Sequence, residues 1–109
     1  MSKKLTFTFE GTDYTLEFTR RTVMQMEDEG FSIADIDAKP LSICSKLFAG
    51  AFLAHHPRVK RGKVIEMFDA MPDKAGLLQR LAEMYNDPIA AFMDEPEEGV
   101  KNVEWTANW

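Results

Sequence analysis

Between residues 5 and 31, LTFTFEGTDYTLEFTRRTVMQMEDEGF, the hydrophobic pattern changes its period once, from that of a strand to that of a helix. Leu5, Phe7 and Phe9 alternate with Thr6 and Thr8, and Tyr14, Leu16 and Phe18 alternate with Thr15 and Glu17. Such alternation predicts two half-buried strands, each with one apolar face. Glu10, Gly11, Thr12 and Asp13 lie between them and predict a hairpin loop of about four residues, with glycine supplying a positive φ. A lone hairpin is marginal in water, so its apolar face must land on the rest of the chain or on a partner. Thr19 is placed to cap a helix starting at Arg20, and Gly30 followed by Phe31 has the pattern of a helix C-terminus.

Beyond residue 31 the pattern is helical or irregular. Ser32 and Asp35 have capping-box spacing and predict a short turn at 33–37. Pro40 then opens the most apolar helix, 41–54, with Leu41, Cys44, Phe48, Ala51 and Phe52 on one stripe and Ile43, Leu47 and Ala54 widening it. A helix apolar over most of its circumference belongs at the centre of the fold, with the hairpin on one side and later helices on the other. Gly50 inside it costs about 1 kcal/mol against Ala, which predicts close approach of another backbone. Val64, Ile65, Met67, Phe68 and Met71 give a further amphipathic helix, stopped by Pro72. Asp73 caps the next, which carries Leu77, Leu78, Leu81, Met84 and Tyr85. Asn86-Asp87-Pro88 ends or kinks it and starts a last helix, 88–93. The expected architecture is α+β: a mainly α domain of about five helices with an N-terminal β-hairpin, spanning residues 1–93. Residues 94–109 read as an acidic linker, DEPEEG, and a tail bearing Trp105 and Trp109, which either folds back on the chain's own hairpin or helices or docks on another molecule.

Composition narrows the function more than the fold. A chain of 109 residues is one domain, and its net charge of -5 argues against a dedicated nucleic-acid binder. The single cysteine, Cys44, excludes an intramolecular disulfide and a cysteine zinc cluster. No apolar run has signal-peptide or membrane-spanning length, so a soluble cytoplasmic protein is expected, with no membrane partner. Arg58, Lys60, Arg61 and Lys63 form the one basic cluster and read either as a solvated loop after the central helix or as a contact for phosphate or an acidic partner. His55 and His56 are adjacent and point in different directions, with no further ligands at useful spacing, so no metal is expected. The sequence has no Gly-rich phosphate loop and no Gly-x-Ser-x-Gly turn, and the acids fall in solvated blocks at 27–29 and 94–98. Cys44 on the core stripe would be an inert thiol. No catalytic constellation and no cofactor are expected. The seven methionines are numerous for this length and suit either a small irregular core or an adaptable binding surface.

The order of these features carries a resemblance. YTLEFTRRTVMQMEDEGF, then LSICSKLFAGAFLAHHP, then LLQRLAEMYNDPIAAF and an acidic linker before a Trp-bearing tail together resemble the small tail assembly chaperones of long-tailed bacteriophages, in particular those of Firmicutes phages and prophages. The likeness spans residues 5–93 and is strongest at Tyr14, Leu16, Phe18 and Arg20 leading to Met26-Glu27 and Gly30-Phe31. It implies a non-enzymatic, mainly helical protein in the host cytoplasm that binds the tape measure protein, recruits tail tube protein and is absent from the mature virion. In many members a programmed frameshift yields a longer form with a second domain, for which the acidic linker is a suitable junction.

The family supplies no binding residues, so these come from the physics of the chain. Met and aromatic side chains adapt to many registers of a helical client. The expected client surface is Tyr14, Phe18, Met24, Met26 and Phe31 on the hairpin and first helix, with Trp105 and Trp109 as a second contact. A homo-oligomer is a further way to cover the hairpin. The competing reading is a small phage-encoded inhibitor that meets a host protein through its acidic surface.

Overall fold

The computed structural model describes residues 3–93 and 104–109. Strand β1, Lys4–Phe9, pairs antiparallel with β2, Thr12–Glu17, in the register Phe9 opposite Thr12, Phe7 opposite Tyr14 and Leu5 opposite Leu16. The loop is thus two residues, Glu10 and Gly11, rather than the expected four. Both have positive φ, 50° and 80°, the conformation that lets a two-residue turn follow the twist of the strands. Glycine adopts this without penalty, whereas Glu10 does so against its Cβ, which is why the tight turn carried no clear sequence signal.

Helix α1, Arg20–Asp28, begins where Thr19 predicts. The Thr19 hydroxyl accepts the Thr22 N–H at 3.2 Å, and the Thr22 hydroxyl accepts the Thr19 N–H at 2.9 Å, a reciprocal box closed by two threonines. Its end is the expected glycine stop: Gly30 sits at φ +90°, Phe31 N–H bonds the Met26 carbonyl at 3.0 Å, and Gly30 N–H bonds that of Glu27 at 2.9 Å. A 3-10 turn follows at Ile33–Ile36, with no side-chain cap from Ser32, so the turn stands without its capping box.

Helix α2, Pro40–Gly50, is the centre of the fold and continues as tight turns through residue 55. Ile43, Leu47, Phe48, Ala51 and Phe52 are buried, the last four among the most inaccessible in the molecule. The buried stripe is rotated from the expected one: Leu41 is 85% exposed and Cys44 only half-buried. Residue 41 lies in the first turn, and burial along the helix is set by the helices and the 3-10 turn packed against it. Gly50 does mark a close approach, though to a side chain: a Cβ there would overlap the sulfur and methyl of Met26 on α1.

Helix α3, Arg61–Ala70, buries Val64 and Met67, and α4, Lys74–Ala90, buries Leu81, Met84 and Tyr85. The Asp73 carboxylate caps α4 by accepting the Gly76 N–H at 3.2 Å. Helix α4 runs straight through Pro88 and ends in a 3-10 turn, Ala91–Met93, instead of stopping at Asn86 and restarting. Pro88 lies in the last turn, where a missing N–H costs a single bond to the carbonyl four residues back. The result is a small α+β domain, an antiparallel hairpin followed by four α-helices among the described residues.

Two aromatic groups lock the layers together. On one side Phe7 stacks on Tyr14 at 5.3 Å and Phe52 meets both edge-on, at 6.2 and 5.9 Å. On the other, Tyr85 of α4 takes Phe18 and Phe31 edge-on, each at 5.3 Å. Offset and edge-on pairs of this kind add about 0.5–1.5 kcal/mol each beyond the area they bury.

Candidate functional site

The residues expected to form a client surface separate into two sets. Tyr14, Phe18, Met26 and Phe31 are 8%, 2%, 4% and 6% exposed and form part of the domain's own core. A surface made of them does not exist on the folded chain, because α2 and α4 occupy the face they present. Met24, Trp105 and Trp109 are exposed, the tryptophans almost completely.

Met24 has company that the sequence did not reveal. The guanidinium of Arg20 lies over the Phe92 ring at 5.4 Å, joining α1 to the turn that ends α4. Met24 stands one helical turn beyond Arg20, and Ile89 one turn before Phe92, so the outer face of α1 and the end of α4 contribute to one exposed surface. A shallow open depression lined by Arg20, Arg21, Met24, Gln25 and Asp28 lies on the α1 side of it. Phe92 is 61% exposed, with the Arg20 guanidinium over its ring.

The histidines have structural partners. His56 Nε2 accepts the Thr15 backbone N–H at 3.0 Å, and Nε2 of His55 is 2.7 Å from the Glu17 carboxylate, which is itself buried. The Glu17 N–H donates to the Ala51 carbonyl at 3.0 Å. An acceptor nitrogen carries no proton, so His56 holds its hydrogen on Nδ1. These three bonds fasten β2 to the end of α2. The adjacent pair thus grips two alternate residues of one strand, an arrangement that the sequence offers only as His-His after an apolar helix.

The basic cluster is dispersed. Lys63 bonds Glu10 at the hairpin turn at 2.8 Å and lies over the Phe9 ring at 5.0 Å, while Arg58, Lys60 and Arg61 are exposed. The Lys63 hydrogen bond and charge hold the Glu10 carboxyl below its usual range, and Glu10 in turn raises the Lys63 ammonium. Burial, helped by the charge of Glu27, pushes the Tyr85 phenol up. Among the described residues no three His, Cys, Asp or Glu side chains gather into a metal-binding group, and no helix is long and apolar enough to cross a membrane. The acids at 94–98 lie outside the described residues.

No curated protein and no solved structure matches the chain. A family model does, over residues 1–109, under the description Domain of unknown function (DUF5055). The chain belongs to that family, whose extent coincides with the hairpin, the helices and the tryptophan segment together.

Proposed function

We propose that the protein is a non-enzymatic tail assembly chaperone of a long-tailed bacteriophage, acting in the cytoplasm of the bacterial host. It would bind the tape measure protein and recruit tail tube subunits without entering the mature particle. The observation that carries the reading is that five of the exposed large apolar side chains fall in two places. Met24, Ile89 and Phe92 stand at the α1 and α4 end, and Trp105 and Trp109 stand on the segment that follows, while Leu41 and Ile65 stand singly on α2 and α3. A flexible methionine and exposed aromatics suit a client met in many registers, since they need little exact shape and supply the anchors that dominate binding energy. The likeness to tail chaperones in YTLEFTRRTVMQMEDEGF and the segments after it supports the same reading.

The test is retention of the neighbouring gene products, tape measure and tube, on the purified chain at micromolar concentration. Capture of at least one, lost on Met24→Ser with Phe92→Ser, is the expected result; capture of neither overturns the chaperone reading. The competing inhibitor reading predicts instead that reversing Asp94, Glu95, Glu97 and Glu98 abolishes activity while the apolar substitutions leave it intact.

A further inference from the structure

The hairpin has two edges, and the chain closes one of them. Residues paired across a two-residue turn alternate between those that bond each other and those whose N–H and C=O point outward. Counting from Phe9 and Thr12, the outward residues are Asp13, Thr15 and Glu17 on β2 and Lys4, Thr6 and Thr8 on β1. The Thr15 and Glu17 amides are taken by His56 and the Ala51 carbonyl. The β1 groups find no backbone or side-chain partner among the described residues. Next to that open edge the core-facing side chains of β1, Leu5, Phe7 and Phe9, are only half-buried, whereas Tyr14 and Leu16 opposite them are buried. Strand β1 thus has no described hydrogen-bonding neighbour on its outer edge, and its apolar side is only partly covered, by Tyr14 and Phe52 at Phe7 and by Lys63 at Phe9.

Residues 103–109, VEWTANW, have the complementary deficiency. Val103, Trp105, Ala107 and Trp109 alternate with Glu104, Thr106 and Asn108, which is a strand pattern of seven residues with one apolar face. Residues 104–109 nonetheless belong to no strand, and both tryptophans stand in solvent. Aligned on β1 in either direction, the alternation sets the tryptophans on the side of Leu5, Phe7 and Phe9 and the polar residues beside Thr6 and Thr8.

We propose that residues 104–109 of one copy add as a third strand to the β1 edge of a second copy, and that the exchange is reciprocal. Three considerations select a second copy over the same chain. In the single chain both halves are unsatisfied together, with the edge open and the tryptophans exposed. The sequence 94–102 carries Asp94, Glu95, Glu97 and Glu98 around Pro96, a run of like charges on a chain whose net charge is already -5. Reciprocal exchange also doubles the contact: four tryptophans at about 150–250 Å² each bury roughly 600–1,000 Å², which with two added strands approaches the size of a stable interface. Two-fold exchange closes on itself, since each copy gives one segment and receives one. Lys4 at the start of β1 suits Glu104 at the start of the segment in a parallel alignment. The proposal shares Trp105 and Trp109 with the chaperone reading but not Met24 and Phe92, so its test does not depend on capture of a client.

Both tryptophans of the chain lie in this segment, so its fluorescence reads the segment alone. The experiment follows mass by light scattering and Trp emission of the full chain from low to high micromolar concentration. The expected result is a rise from 12.4 kDa to twice that mass with a parallel blue shift. Thr6→Pro removes one outward N–H and no hairpin bond, so it blocks docking while circular dichroism confirms the fold; Trp105→Ser with Trp109→Ser disables the segment without touching the domain. Each variant alone is expected to stay monomeric. Mixed, the tryptophan variant offers an edge to the intact segment of Thr6→Pro, whose emission then shifts blue. Three results overturn the proposal. One is emission that is blue-shifted at every concentration in a monomer, which places the segment on its own chain. Another is a dimer that survives both variants. The third is a chain monomeric with solvent-exposed tryptophans throughout.

Discussion

Strands β1 and β2 have the same length and the same alternation of threonine with large apolar residues, yet the protein treats them differently. The apolar residues of β2, Tyr14 and Leu16, are 8% and 0% exposed, and its outward amides at Thr15 and Glu17 are held by His56 and Ala51. Those of β1 are half-buried, and its outward groups face no described neighbour. What separates them is position: β2 lies against the end of α2, and β1 is the side of the sheet turned from it. Alternation tells which face of a strand meets the core, but carries no information about whether its edge is occupied.

The largest effect expected from this contrast is in the side chains. Leu16→Ala should cost about 2–5 kcal/mol, since it opens a cavity in a fully enclosed site, whereas Leu5→Ala, directly opposite it in the register, should cost about 1 kcal/mol or less. Urea denaturation of the two variants measures the difference, and equal losses would show that the strands are equally buried in solution. Next comes the edge. His56→Ala leaves the Thr15 N–H without its acceptor and should cost about 1–3 kcal/mol, against about 1 kcal/mol or less for Thr6→Pro on the open side. A Thr6→Pro loss as large as that of His56→Ala would mean that the β1 edge already has a partner.

The smallest effect lies at the turn that the strands share. Because the Glu10 carboxyl is held below its usual range by Lys63, its contribution is present above the ordinary carboxylate range and is lost as pH falls through the lowered value. The raised Lys63 ammonium contributes fully below the ordinary lysine range and loses its effect as pH rises through the raised value. Both groups are solvent-accessible, so the effect is small and fades with salt. Comparing the urea midpoint of Glu10→Gln with that of the unaltered chain should show a gap at neutral pH that closes in acid, and a gap that persists in acid would remove Lys63 as its cause.

Local devices in this chain were legible because their causes lie within a few residues. The Thr19 cap, the Gly30 stop, Pro40 at the start of α2 and Asp73 at the start of α4 all stand where their side-chain chemistry places them. The tight turn at Glu10-Gly11 was not legible, since a glutamate with positive φ has no propensity to announce it. Nor was the continuity of α4 through Pro88, where the expected break depends on how many bonds remain to be lost. The candidate surface was harder still. Phe18 and Phe31 lie beside Tyr85, a residue more than fifty positions away, and no property of their own distinguishes them from Phe92, which is exposed.

The sequence by itself determined the α+β architecture, the order of the elements and most of their ends, because period and capping act over one or two turns of chain. Tertiary structure alone decided which apolar residues became core and which became surface: Tyr14 and Met26 inside, Leu41 and Met24 outside. It also decided that His55 and His56 would hold β2 and leave β1 open. Hydrophobicity gives every large apolar side chain the same reason to leave water, and only the geometry of packing determines which of them can.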